Sequence, residues 1–170
     1  VSDLYDYSIE ETEEYPNGAV TITKYNGTEF VAELMIPDSV KGLPVVAIGE
    51  GAFRDVKTNA IRVNTALDRI GGGAFENCTA LVASFGIVGE IEAGAFKNCN
   101  SLLHMNAAKI DTVRIGAFDG CTNLSQVYFP NRLKNINDGA FANCDGLTEV
   151  EMPDGTVKNL YSGEISVRLS

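Results

Sequence analysis

The residues with chemical reach in this chain are its cysteines, a single histidine and a few carboxylate pairs. Cys78, Cys99, Cys121 and Cys144 fall at intervals of 21, 22 and 23 residues. Thiolate metal sites use close pairs of the C-x2-C kind, and no such pair occurs. Side chains on stacked rungs sit about 4.8 Å apart and parallel. A disulfide needs Cβ atoms about 3.8 Å apart with a near-right-angle twist. The spacing therefore favours buried free thiols over disulfides or a metal centre.

His104 could act as a base only beside a held nucleophile. Ser84 and Ser101 are the nearest serines in the array, and neither sits in G-x-S-x-G. Glu149 and Glu151 have the types for general acid and base, but a solvated face explains them more simply. Walker A, G-x-G-x-x-G, H-E-x-x-H and calcium-loop motifs are absent, and Gly71-Gly72-Gly73 reads as a turn. No catalytic residue, cofactor or metal is expected. A reproducible turnover abolished by changing His104 would be needed to revive an enzyme.

Acids outnumber bases 23 to 13, for a formal charge of −10, and no Lys/Arg cluster offsets them. A nucleic-acid or anionic-membrane partner would be repelled. Asp3, Asp6, Glu10, Glu11, Glu13 and Glu14 crowd the first fifteen positions, which suits a solvated face or a frayed end. No apolar run is long enough for a membrane-spanning helix, and no signal peptide pattern is seen. The chain opens Val-Ser-Asp, which reads as a mature or trimmed form from which a leader or anchor could have been removed.

The elements that would position these residues come from an internal repeat. Gly-Ala-Phe recurs with its Phe at 53, 75, 96, 118 and 141, at intervals of 22, 21, 22 and 23 residues. Five residues before each Phe lies Ile48, Ile70, Ile91, Val113 or Ile136. Three earlier lies Val45, Leu67, Val88, Ile110 or Leu133. Three after the Phe come Val56 and then the four cysteines, and three further Leu81, Leu102, Leu124 and Leu147. The fullest copies continue as Val127-Tyr-Phe129-Pro130 and Val150-Glu-Met152-Pro153.

This period is too short for a helix pair, which needs about 33 residues or more. It suits one strand, a compact return and two turns. The alternation around Val127 gives one buried and one exposed side. Pro130 and Pro153 end their strands for want of a ladder donor. Phe-x-x-Cys-x-x-Leu suits a short 3-10 or α turn. Gly before Ala-Phe permits a conformation other residues resist. No unit buries its own core, so stacking must close it.

The expected fold is a repeat solenoid, β-rich with short helical or 3-10 turns, of the right-handed leucine-rich-repeat type. Residues 1–30 are expected to form an N-terminal β-hairpin cap around Pro16-Asn17-Gly18, residues 31–156 the solenoid of about five full repeats, and residues 157–170 a degenerate half repeat or C-terminal cap. In that last piece Leu160, Gly163 and Ile165 keep the register, and Ser166 to Leu169 could form a closing strand. All are one domain.

With these residues on the page, the chain resembles the treponemal-type leucine-rich repeats of the BspA-like family of bacterial surface proteins. That unit also runs L-x-x-I-x-I-P and then I-x-x-x-A-F-x-x-C, and the likeness spans roughly residues 30–165. Pro130 and Pro153 stand where commoner leucine-rich repeats carry Asn or Cys, so an asparagine ladder after the strand is not expected. The resemblance implies secretion or display on a bacterial cell surface, and adhesion or protein binding. It brings no catalytic residue.

The outward strand positions then form the concave sheet face. In strict register they are Glu33/Met35, Ala60/Arg62, Ala83/Phe85, His104/Asn106, Gln126/Tyr128 and Glu149/Glu151. The candidate binding face is Met35, Arg62, Phe85, His104, Asn106, Gln126, Tyr128, Glu149 and Glu151, aromatic and uncharged at its centre. Strict register buries Ser84 and Gly86 and exposes Phe85, and a one-residue slip would reverse this. The expected function is non-enzymatic, adhesin-like recognition of an extracellular protein or glycan, with a monomer favoured. The alternative is a structural spacer or self-associating stalk, in which the solenoid ends make the contacts.

Overall fold

The computed structural model describes residues 2–128, 134–147, 149–151, 156–159 and 165–167. The strands in chain order are β1 (Tyr5–Glu10), β2 (Ala19–Tyr25), β3 (Val31–Met35), β4 (Ser39–Val40), β5 (Leu43–Ile48), β6 (Thr58–Val63), β7 (Leu67–Ile70), β8 (Val82–Ile91), β9 (His104–Val113), β10 (Gln126–Tyr128), β11 (Asn135–Ile136), β12 (Glu149–Glu151), β13 (Thr156–Asn159) and β14 (Ile165–Val167). Pro130, Pro153, Leu133, Leu160, Gly163, Arg168 and Leu169, on which parts of the repeat reading rest, lie outside the described residues.

The fold is a β-solenoid whose coils have three sides. The first side stacks β3, β6, the front of β8, the front of β9 and β10 in parallel, with Met35, Arg62, Ser84, Asn106 and Tyr128 in one row. The second stacks β2, β5, β7, the rear of β8, the rear of β9 and β11, with Ile22, Ile48, Ile70, Ile91, Val113 and Ile136 in one row. Strands β8 and β9 each bend around the corner between the two sides, where pairing skips Gly86.

The second side is a strand the repeat pattern conceals. Apolar residues three apart point to opposite faces of a regular strand. Here pairing passes from Leu67↔Val88 to Arg69↔Glu90, skipping Asp68 and Gly89. Both Leu67 and Ile70, and both Val88 and Ile91, end up buried. A Cβ on Gly89 would lie 2.5 Å from the Asp68 carbonyl oxygen, so only glycine allows that approach.

The third side is made of turns. The amides of Cys78, Cys99 and Cys121 donate to the carbonyls of Phe75, Phe96 and Phe118 at 3.2, 3.3 and 3.1 Å, the hydrogen bond of a 3-10 turn. No helix propagates from it, because the turn is bracketed by left-handed residues. Gly51, Gly73, Gly94, Gly116 and Gly139 precede each Phe by two with φ between 62° and 77°. Asp55, Asn77, Asn98, Gly120 and Asn143 follow it by two, also at positive φ. These are the residue types that enter this region at least cost. Coils are joined on this side by Phe53, Phe75 and Phe96 amides donating to Ala74, Ala95 and Ala117 carbonyls, each at 2.7 Å.

The core is a column of rings. Phe53, Phe75, Phe96, Phe118 and Phe141 stack with centroids 5.2, 5.1, 5.0 and 4.9 Å apart. Each buried ring contributes roughly 1.5–3 kcal/mol by leaving water. Tyr25 continues the column at 5.6 Å from Phe53, and its amide bonds the Ala52 carbonyl as the Phe amides do.

At the N-terminal end, β1 runs antiparallel to β2, and Gly18 closes the intervening turn onto the Tyr15 carbonyl at 2.9 Å. Tyr5 on β1 lies buried against Tyr25 and Phe53. At the other end β12, β13 and β14 form an antiparallel sheet of their own.

Candidate binding face

The outer face of the first side is two rows of side chains. One row runs Glu33, Ala60, Val82, His104, Gln126 and the other Met35, Arg62, Ser84, Asn106, Tyr128. Hydrogen bonds from Leu81 to Asn59, Leu103 to Leu81 and Ser125 to Leu103 set a further row at the lip of the face.

Phe85 is not on this face, contrary to the strict-register reading. It is 4% exposed, buried edge-on against Phe75 and Phe96. The repeat is one residue short between Cys78 and the strand, so Ala80 takes the buried place that Leu102 and Leu124 hold in later coils. Leu81, read as the repeat leucine, is instead 42% exposed. The alternative would bury the Ser84 hydroxyl and leave a phenyl ring in water, and both terms disfavour it. Val63 and Ala107 flank Phe85 in register, and the small Ala107 leaves room for the ring.

The other predicted positions divide. His104, Asn106, Gln126 and Tyr128 share the face, and Tyr128 is 67% exposed. Met35 is exposed at its N-terminal edge, and Arg62 ion-pairs with Glu33. Glu149 and Glu151 lie on β12, which among the described residues pairs with β13 and not with the large sheet. Leu81, Val82, Ser84 and Leu103 belong to the face although they were not among the predicted positions. The one-residue-shorter Cys-to-strand spacing in the second coil was the signal for the first three.

Two polar features shape the centre. Ser84 Oγ donates to Asn106 Oδ1 at 2.8 Å. His104 Nδ1 is buried and has no hydrogen-bond partner among the described residues.

The cysteines stand well inside. Cys78, Cys99, Cys121 and Cys144 are free and buried, and each thiol donates to the carbonyl of the preceding coil's Phe at 3.0 to 3.1 Å. Burial pushes the Cys78 thiol up to about 12. Contact with Cys121, then burial, raises Cys144 as well. Such thiols are poor nucleophiles and poor metal ligands. Among the described residues no group of three or more His, Cys, Asp or Glu could hold a metal ion.

A cleft of about 350 Å³ lies apart from this face, between residues 10–15 and the outer side of the second sheet. Glu10, Glu13, Glu14, Tyr15, Asp68 and Arg69 are among its walls. Burial, then the nearby Glu14 charge, raises the Asp68 carboxyl above its ordinary value, and Arg69 opposes this.

The sequence that forms this three-sided coil matches the BspA type leucine rich repeat region, in six copies over residues 23–106 and 46–164. The chain belongs to this BspA-type leucine-rich repeat family. The match begins at residue 23, so it also takes in Tyr25, the ring that heads the Phe column.

No match occurs among curated proteins. Two solved structures are similar. The T. pallidum leucine rich repeat protein is 19% identical over 86% of this chain and 89% of its own, with a TM-score of 0.41. A leucine rich cell surface protein from Faecalibacterium prausnitzii A2-165 is 16% identical over 95% of this chain, with a TM-score of 0.29; the match spans 59% of that chain. No helix among the described residues is long and apolar enough to cross a membrane.

Proposed function

We propose that this BspA-type repeat is a non-enzymatic, adhesin-like binding module of a bacterial cell surface, and that it takes an extracellular protein on the outer face of its first sheet. The observation that carries the reading is a contrast. On a chain of net charge −10, the centre of this face is uncharged and carries Leu81, Val82 and Leu103, with Asn59, Ser84, Asn106, Gln126 and Ser125 around them. An apolar centre inside a polar rim is the anatomy of a protein-recognition patch. Membership of a repeat-scaffold family and thiols locked in the core support binding rather than turnover.

The test is binding of the purified chain to a panel of matrix proteins and glycans, beside a Leu103→Ser, Tyr128→Ser variant of unchanged melting temperature. Loss of a parental interaction in the folded variant supports the face. Equal binding by both removes it.

One observation favours the spacer reading. Among the described residues β3 pairs on one side only, with β6, which leaves an open edge of the first sheet at the N-terminal end of the array. Concentration-dependent association in sedimentation, together with no binding to the panel, would favour a stalk that stacks end to end.

A further inference from the structure

We propose that His104 and Asn106 are the ligand-reading pair of the first face, a double hydrogen-bond donor for a neutral amide carbonyl of a protein partner. This rests on the first face being the binding surface. The two residues lie two apart on β9, so both side chains stand on the same side of the sheet, in adjacent rows.

Each has its hydrogen-bonding sense fixed by the fold. Asn106 Oδ1 is occupied by the Ser84 hydroxyl at 2.8 Å. The amide is thereby oriented, and its Nδ2 hydrogens are what it offers outward. His104 Nδ1 is buried, with no hydrogen-bond partner among the described residues. A buried N–H without an acceptor is rarer and more costly than a buried lone pair. The neutral ring therefore keeps its proton on Nε2, the nitrogen a ligand can reach, and donates from there.

The acceptor these donors fit is uncharged. Arg62 is the only arginine or lysine in the two rows, and Glu33 holds it. A carboxylate approaching a chain of charge −10 would meet no unpaired arginine or lysine in these two rows among the described residues, and a repulsive field around them. An amide carbonyl meets neither obstacle. Leu81 and Leu103, at 42% and 39% exposure, form a ledge beside the pair. That ledge would take an aliphatic side chain next to the recognised carbonyl, which favours a protein segment over a sugar.

The test uses the full chain, 15N-labelled, titrated separately with N-methylacetamide, acetate, methylammonium and N-acetylglucosamine. The readouts are the Asn106 side-chain amide and the His104 ring nitrogens. N-methylacetamide is expected to shift both, with acetate and methylammonium weaker. Asn106→Asp keeps an oxygen for Ser84 but replaces the donor with an acceptor. It should lower N-methylacetamide affinity about tenfold, the scale of one hydrogen bond lost and an acceptor set against the carbonyl. Ser84→Ala, which frees the amide to turn over, should give a smaller loss in the same direction.

Equal shifts from methylammonium, tighter binding of acetate, or undiminished amide binding by Asn106→Asp would overturn the assignment. Tighter binding of N-acetylglucosamine than of N-methylacetamide would overturn the protein partner. A panel ligand lost by the Leu103→Ser, Tyr128→Ser variant but kept by Asn106→Asp refutes the donor pair and leaves the face standing. A ligand kept by both of these variants refutes the face itself.

Discussion

Phe85 meets Phe96 edge to face, with ring centroids 5.9 Å apart and planes at 82°. It meets Phe75 in the same manner at 6.1 Å and 69°. One ring thus locks two rungs of the stacked column from the side, in the geometry aromatic quadrupoles prefer. Removing it opens a cavity between coils. Phe85→Ala should cost about 3–5 kcal/mol of stability, read as a fall in the urea midpoint. A change near zero would place the ring on the surface.

The left-handed residue after each Phe gives a second prediction. Asn77 has φ 61° and its Nδ2 donates to Asp55 Oδ1 at 3.0 Å. Asn77→Ala should destabilise by about 1–2 kcal/mol through backbone strain, whereas Asn77→Gly should be tolerated. Equal effects of the two would show that the side chain, and not the conformation, matters.

The thiols make a prediction about alkaline pH. The folded Cys78 value of about 12 lies above its ordinary 9.0. Between those two values the native state holds a proton that the unfolded chain has released. Stability contributed by the protonated thiol is complete below 9.0 and falls as pH rises toward 12. The urea midpoint should therefore drop between pH 8 and pH 10, and drop less in Cys78→Ala. In native protein a thiol reagent should find no reactive cysteine, and in denaturant it should find all four.

Asp68 carries the opposite lesson about charge. Its folded value is raised above the ordinary 3.8, so the ionised carboxylate is disfavoured by folding. The native state binds more protons just above 3.8, and stability falls as pH rises through that window. Asp68→Asn should accordingly raise the melting temperature at neutral pH and make no difference well below 3.8. A lowered melting temperature at neutral pH would mean that Arg69 outweighs burial and Glu14.

Much of the fold was legible because the repeat keeps its own register. The Phe column, the glycines at positive φ, and His104, Asn106, Gln126 and Tyr128 on one face all follow from spacing alone. Three features did not. The second strand hides behind an i, i+3 apolar pattern, since an irregularity at Asp68 and Gly89 turns both apolar residues inward. The shortened second coil hides its slip, since Leu81 mimics the repeat leucine while Ala80 does its work. The corner residues were missed because Asp55, Asn77, Asn98, Gly120 and Asn143 differ in side chain and agree only in tolerating positive φ.

The central claim is that this chain binds through the first face, and two matched double variants test it most directly. Leu103→Ser, Tyr128→Ser strips exposed apolar surface from that face. Ile87→Ser, Ile115→Ser strips it from elsewhere on the solenoid, at 40% and 62% exposure. Surface plasmon resonance against a ligand bound by the parent should show binding lost in the first variant and kept in the second. Loss in the second with retention in the first would contradict the account and move recognition to another side of the coil.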